Sequence, residues 1–452
     1  MRRIVGAIPD RLVRRLALAL WLAGPLALGP LAAQAQVAPS ALAAEMGEGG
    51  DASGLRAFYA ARGFRPLWIE QGGAAPAARA LLDLIRDGAL DGVKSRKARE
   101  GDLRRALDRA QAPTAENLLR LEVAASRALA AYVQQMRKAP RAEVIAESPA
   151  LLPGVPTTAA VLQMAAAAPS LAQFVQAMGW MHPAYAPLRR ALAAAHGNAA
   201  ARQVLEANLA RVRALPAPGP GRYVLVDAAA ARLTMIEDGK PVGAMRVVVG
   251  KPDMPTPMMA GFLRYARLNP YWNIPPDLVR ARIAPQVVAR GPGYLRAKRY
   301  QVLSGWEDDA KVVDPAQIDW PAIAAGFGEV RVRQLPGGDN FMGRVKFMFP
   351  NDQGIYLHDT PEKALMKEDE RQFSSGCVRL EDAPRLGRWL LGRPLPRAGK
   401  AIDQRIDLPE PVPVYITYLT AAPDAAGRIA FLPDPYDRDG RGAGGSGNAN
   451  AR

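Results

Sequence analysis

The sequence predicts an α+β protein: a mainly helical N-terminal domain followed by a β-rich domain that a long insertion interrupts. Three observations predict it. Leu- and Ala-rich runs at helical spacing, such as LLRLEVAASRALAAYVQQMRK, fill the chain up to about residue 213. A Pro/Gly-punctuated linker, LPAPGPGR at 215–222, then hands over to alternating runs such as RYVLVDAAAARLTMIEDGKPVGAMRVVVG. Within that second half, residues from about 275 to 331 carry Pro, Gly and short helical pieces. So long a connection inside a compact domain generally has a job, often as a lid.

Taken in order, residues 1–35 read as a secretory signal, with an Arg-rich start, an apolar stretch from Leu16 to Leu31 and a small-x-small site at Ala33-Gln34-Ala35. Breaks at Gly24-Pro25 and Gly29-Pro30 favour cleavage and a periplasmic product; a retained membrane anchor is the alternative. Residues 36–54 read as an Ala/Gly-rich linker and 55–214 as the helical domain, where Trp68, Trp180, His182 and His196 are expected to pack or sit at the surface. The β-rich domain spans 221–436. Its expected features are a hairpin turn at Glu237-Asp238-Gly239-Lys240 and strands at Phe262–Leu268, Arg344–Phe349, Gly354–His358 and Val412–Thr420. The Gly-rich tail, 437–452, is expected to be disordered.

Net charge is +16, and removing residues 1–35, with five arginines and one aspartate, leaves +12. A basic surface favours polyanions. No helix-turn-helix, zinc-finger or RNA-recognition pattern accompanies it, so nucleic acid is not expected as a partner; an anionic cell envelope fits export better. One cysteine and three scattered histidines offer no metal-ligand spacing, and neither metal nor cofactor is expected.

Cys377, the single cysteine, lies in FSSGCVRLEDA, and His358 precedes it in YLHDT. An unpaired thiol in an exported chain is better explained by reactivity than by architecture, although a lone cysteine also serves as a small buried hydrophobe. A thiol attacks as thiolate, so it needs a base and preorganised donors for the oxyanion that it creates. His358 suits the base, and the main-chain N–H groups of Ser375, Gly376 and Cys377 suit the donors. Ser374 and Ser375 are further donors or turn caps, with Ser375 preferred. Arg379, two residues past the sulfur, faces the same side; an internal ion pair with a nearby acid such as Glu381 or Asp382 is one role open to it. The side chain of Asp359 reads as a solvated turn carboxylate. Tyr356 and Trp272 either line a cleft or pack in the core.

The segment from Gln334 to Leu380, which contains GGDNFMG, YLHDT and SSGCVRL, resembles the active-site signature of YkuD-type L,D-transpeptidases, His-x-Thr followed by Ser-x-Gly-Cys-x-Arg. VGKPDMPTP, LNPYWNIP and VDPAQIDWP are similar to the lidded YcbB-like branch. The resemblance implies a cysteine acyltransferase: Cys377 forms a thioester, His358 moves the proton, and the carbonyl of Asp359 orients the imidazole. It also implies that Asn340 and Gly343 support the floor of the site and that Arg379 shapes the pocket and meets a substrate carboxylate through a bidentate contact. The implied donor is a peptidoglycan tetrapeptide stem and the implied acceptor a diaminopimelate side-chain amine, giving 3-3 cross-links, with carbapenems as inhibitors. Protein attachment to the wall, D-amino acid exchange, hydrolysis and an idle wall-binding scaffold are the alternatives. One departure stands out: the helical peptidoglycan-binding module common in that branch has no room between Leu188 and Asn208.

Overall fold

The computed structural model describes residues 38–46, 51–307, 309–396, 399 and 401–440. The expected signal segment and residues 441–452 of the expected tail lie outside that range.

The N-terminal half is built from α1 (Pro39–Glu45), α2 (Asp51–Ala61), α3 (Pro76–Arg86), α4 (Glu100–Arg109), α5 (Ala115–Lys138), α6 (Thr158–Ala167), α7 (Leu171–Gln176), α8 (Tyr185–Ala194) and α9 (Ala199–Val212), with a small hairpin, β1 (Ile69–Glu70) and β2 (Gly73–Ala74). Side-chain caps start several of them: Thr114 accepts the N–H of Asn117 at the head of α5, and Asn198 that of Ala201 at the head of α9. The expected linker at 36–54 is partly helical instead. Leu42 and Met46 are fully buried in the helical core, so apolar burial overrides the loop-like composition around them. Trp68 and Trp180 are core residues, as expected. Buried charge is satisfied internally: Asp91 accepts from Arg189 at 2.8 Å and from the Tyr185 hydroxyl at 3.0 Å. Residues 195–198 join α8 directly to α9.

A short strand, β3 (Ile145–Ala146), leaves the helical half and pairs with the C-terminal sheet. That sheet contains β4 (Arg222–Asp227), β5 (Arg232–Glu237), β6 (Lys240–Gly250), β7 (Met259–Leu268), β12 (Val345–Met348), β13 (Leu357–His358), β14 (Gln372–Ser374), β15 (Val378–Leu380) and β16 (Gln404–Thr417). The order β12-β13-β15-β6-β5-β4-β16-β7 closes on itself, because β7 also pairs with β12. Alternation sends Val345, Phe347, Leu357, Val378 and Leu380 inward, where they join Leu386 and Leu390 of α14 (Ala383–Leu391) in one core. The expected hairpin is present: Glu237 pairs with Lys240 across Asp238 (φ 49°) and Gly239 (φ 74°), the left-handed pair of a type I′ turn. The expected strand from Gly354 shrinks to Leu357–His358, since Gly354 at φ 63° belongs to a turn.

The insertion is a subdomain with its own core. β8 (Trp272–Ile274), β9 (Tyr300–Leu303), β10 (Val312–Val313) and β11 (Arg331–Gln334) form a four-stranded sheet. Against it lie α10 (Pro276–Leu278), α11 (Ala284–Arg290), α12 (Gly293–Ala297) and α13 (Trp320–Ala325), with Ile283, Leu295, Val302 and Trp320 at the centre. A π-helical turn, Val279–Ile283, joins α10 to α11. The chain enters along β8 and leaves along β11, which pair antiparallel (Trp272 opposite Gln334), so the insertion hangs from a two-stranded stalk.

After β16 the chain returns to the helices. Leu419 and Ala421 are buried in the helical core, with a second hairpin formed by β17 (Ala421–Pro423) and β18 (Ile429–Phe431). The start expected for the tail is corrected as well: Asp439 pairs with Arg211 at 2.7 Å, and Arg438 lies over the rings of Tyr418 and Tyr436.

Candidate active site

Register brings the predicted pair together. β13 and β15 run parallel, with Leu357 opposite Val378 and His358 opposite Arg379. Leu357 and Val378 point into the core, so Tyr356, His358, Cys377 and Arg379 share the other face. The antiparallel neighbour β12 places Lys346 opposite His358, and β7 places Arg267 opposite Lys346. One rung of the sheet therefore reads Arg267, Lys346, His358, Arg379.

His358 is buried, and its Nδ1 lies 2.6 Å from the carbonyl oxygen of Asp359. A carbonyl only accepts, so Nδ1 carries the proton and Nε2 keeps a free lone pair. Burial, reinforced by Arg379 and Lys346, lowers the imidazole to about 3. Burial also raises the Cys377 thiol, against opposing contributions from a main-chain hydrogen bond with Tyr356 and from the charges of Arg379 and Lys346. At neutral pH both members of the pair are thus uncharged, and the thiol donates to the Gly354 carbonyl at 3.5 Å.

The turn that carries the sulfur is held by its own hydrogen bonds. Ser374 Oγ donates to the Cys377 carbonyl at 2.6 Å and accepts the Gly376 N–H at 3.2 Å. Ser374 is therefore the serine that caps this turn, one of the two roles open to it in the sequence, and the Gly376 N–H expected as an oxyanion donor is taken inside the turn. Gly376 has φ +108°, and a Cβ there would come within 3.0 Å of Ile355 Cδ1. From below, the buried Thr256 hydroxyl donates to the Gly376 carbonyl at 2.7 Å and accepts the Gly250 N–H at 2.8 Å. Tyr436 in turn donates to the Gly250 carbonyl at 2.6 Å.

Asp359 is buried, not solvated: its carboxylate accepts the Arg344 N–H at 2.9 Å and pairs with Lys363 at 2.7 Å. Gly343, at φ +60°, makes room for it, since a Cβ there would meet the carboxylate at 2.5 Å. Arg379 does pair internally, but with Glu362; Glu381 is engaged by Arg246, and Asp382 caps α14. Asn340 sits at the stalk rather than under the sulfur. Its fully buried amide donates to the carbonyls of Pro270, Gln334 and Leu335, bolting together the strands that enter and leave the insertion. Trp272 starts β8 and packs on Phe341 at 4.9 Å, and Phe341 lies 5.9 Å from the Arg379 guanidinium. Half-buried Tyr356 presents its ring 5.7 Å from Lys346 Nζ.

Sequence reasoning passed over Lys346, Thr256, Phe341 and Glu362. The alternation in RVKFMF was a usable signal for the first, because Val345 and Phe347 face the core and the lysine between them must face His358. Among the described residues, no three His, Cys, Asp or Glu side chains group as metal ligands.

The sheet thus carries a thiol and a tautomer-fixed imidazole on one face, beside neighbouring strands. Residues 221–416 match the family of L,D-transpeptidase catalytic domains (YkuD), and residues 53–192 match a Scaffold domain. The chain carries a YkuD-type L,D-transpeptidase catalytic domain behind a helical scaffold domain. It is 35% identical over 244 residues to a Haemophilus influenzae protein named "Putative L,D-transpeptidase", a match that spans 52% of this chain and 48% of that protein, about half its length. Among solved structures, an L,D-transpeptidase from Mycobacterium smegmatis is 15% identical, with 43% of this chain and 59% of that one covered and a TM-score of 0.21. L,D-transpeptidase 3 from Mycobacterium tuberculosis, in complex with a faropenem-derived adduct, is 17% identical, with 45% and 65% covered and a TM-score of 0.21. The catalytic domain of the E. faecium L,D-transpeptidase is 18% identical, with 43% and 96% covered and a TM-score of 0.19.

Proposed function

We propose that this protein is an exported, periplasmic L,D-transpeptidase that forms 3-3 peptidoglycan cross-links through a thioester on Cys377. One observation carries the reading: Cys377 and a neutral His358, with its Nε2 lone pair free, share one face of adjacent parallel strands. His358 Nε2 takes the thiol proton as the sulfur bonds to the carbonyl carbon of the diaminopimelate residue in a tetrapeptide stem. The Cys377 N–H and Ser375 N–H face the oxyanion. Collapse expels the terminal D-Ala amine, which leaves with the proton from the imidazolium. The side-chain amine of a second stem then attacks the thioester, gives its proton to His358 and restores the thiol. Arg379 exchanges its Glu362 partner for a stem carboxylate, which it meets by a bidentate contact. Carbapenems enter the same chemistry, since their strained carbonyl acylates the sulfur.

Export rests on the N-terminal pattern; among the described residues no helix is long and apolar enough to cross a membrane. Intact-mass analysis with a tetrapeptide muropeptide tests the reading. An acyl adduct on Cys377 with dimer product is expected. Adduct with tripeptide alone makes the protein a hydrolase, and no adduct makes it an idle scaffold.

A further inference from the structure

We propose that Lys346 is a positioning residue of this site: its ammonium, held on the His358 rung, is the positive charge that stabilises the negative sulfur of Cys377. The proposal rests on the acyl-transfer reading above and adds a residue to it. Lys346 is 6% exposed, and a buried lysine needs an anionic or dipolar partner to remain charged. Its register partners are Arg267 on β7 and His358 on β13, a cation and a neutral ring, so no carboxylate neutralises it on its own rung. Its Nζ donates to the Tyr271 carbonyl at 3.4 Å and lies 5.7 Å from the Tyr356 ring. Tyr356 is the residue whose carbonyl accepts the Val378 N–H, immediately after the sulfur. The ammonium therefore lies beside the side chain of Tyr356, on the face of the sheet that Cys377 shares, with N–H capacity left beyond one long hydrogen bond.

The other charged and titratable groups around it are accounted for. Arg267 and Tyr265 come from β7, Asp403 from the head of β16, where it is held by Arg267 at 2.7 Å, and Arg379 from β15, where it is held by Glu362. Asp403 and Cys377 both favour the charged lysine, while burial and Arg267 oppose it. Reciprocally, Lys346 favours the thiolate. Since His358 is neutral, no imidazolium stands ready to favour the thiolate as it forms, and Lys346 is the buried charge that does so. The strand also ties this charge to the stalk, because Tyr271 lies between β7 and β8.

The test is the pH profile of Cys377 alkylation by iodoacetamide in the full chain, for wild type, Lys346→Met, Lys346→Gln and Lys346→Arg, with Cys377→Ala as the blank and thermal melting beside each. An opposite charge at this range shifts a titration by roughly one to three units, so alkylation by the Met and Gln variants at neutral pH falls about tenfold or more, and their midpoint moves up. Lys346→Arg restores the rate. Profiles that overlay the wild type while only the melting temperature falls overturn the proposal, and so does a neutral variant that outreacts Arg. Should neither neutral variant fold, the wild-type chain decides: NMR titration of Lys346 before and after carbamidomethylation of Cys377 must show the lysine titrating lower once the sulfur is capped, and an unmoved titration overturns the idea. Carbapenem acylation of wild type keeps the two readings apart. An adduct with overlaid alkylation profiles removes Lys346 alone, whereas a thiol inert to both reagents removes the acyl-transfer reading and Lys346 with it.

Discussion

Asp359 holds His358 with its main chain and not with its side chain: the carbonyl oxygen sits 2.6 Å from Nδ1, while the carboxylate is turned away to Arg344 and Lys363. The imidazole thus keeps its tautomer without an acidic third member. Replacing the carboxylate should leave this contact in place. Asp359→Asn is expected to keep carbapenem acylation within about tenfold of wild type, whereas His358→Ala slows it by about 10² to 10⁴, the usual span for lost general-base help. Stopped-flow acylation compares the two, and a loss in the Asn variant as large as in the Ala variant would mean that the carboxylate acts on the ring.

The charge state of the pair sets a pH dependence. Burial raises the Cys377 thiol above its ordinary 9.0, so thiolate is scarce at neutral pH and increases as pH rises. Alkylation by iodoacetamide should climb about tenfold per pH unit through that value with no plateau near neutrality. The imidazole, lowered to about 3, stays a free base as pH falls through the usual histidine range. A plateau beginning below about pH 7 would instead reveal a preformed thiolate–imidazolium pair.

Because a buried neutral histidine must charge on acid unfolding, His358 also makes stability depend on pH. Its folded value, about 3, is below the unfolded 6.5, so its contribution is full above 6.5 and is lost as pH falls from there toward 3. His182, lowered to about 4 by burial, adds to the same window. His182→Asn should flatten the fall of melting temperature between about pH 6 and pH 4; an unchanged slope would exclude that site as a contributor.

Gly343→Ala forces a Cβ onto the Asp359 carboxylate at 2.5 Å and demands φ +60° of a non-glycine residue. Strain of this kind costs about 1 to 3 kcal/mol, and since it displaces the residue that orients His358, acylation should fall with stability. Urea unfolding and acylation rates measured together check it. Wild-type stability in this variant would show that the loop relaxes freely.

Glu362 occupies the Arg379 guanidinium that a stem carboxylate would need. Glu362→Gln should therefore lower the KM for a tetrapeptide donor by a few-fold while kcat holds, and Arg379→Ala should raise KM. A higher KM in the Gln variant would make Glu362 part of the binding surface rather than a competitor.

Much of this arrangement was legible in the sequence because it is local. The hairpin at Asp238-Gly239 follows from turn chemistry, and the pairing of Cys377 with His358 from residue type and motif. What stayed hidden depends on partners far along the chain. Leu42 looks like linker until the helical core closes over it, and Thr256 reads as part of a proline-rich loop until Gly376 is folded onto it. The resemblance put Asn340 at the floor of the site, but its three carbonyl partners come from segments that only the crossing of two strands brings together. Arg379 had acidic neighbours in the sequence at Glu381 and Asp382, and chain proximity misled because Arg246, far back along the chain, holds Glu381 and the head of α14 takes Asp382.

The stalk of the insertion has a consequence for how such a protein can change. β8 and β11 remain paired at their bases, and β7 and β12 continue beside them with Leu268 opposite Val345, so everything between 275 and 331 is threaded through one closed doorway. Its core residues, Ile283, Leu295 and Trp320 among them, pack with one another. Residues there can be gained, lost or exchanged while the rung that bears Lys346, His358 and Arg379 keeps its register. Met254 connects the two territories, packing on the insertion's core from the loop whose Thr256 supports Gly376. A change in the insertion's core therefore reaches the sulfur-bearing turn by way of Met254, while the sheet keeps its own pairing.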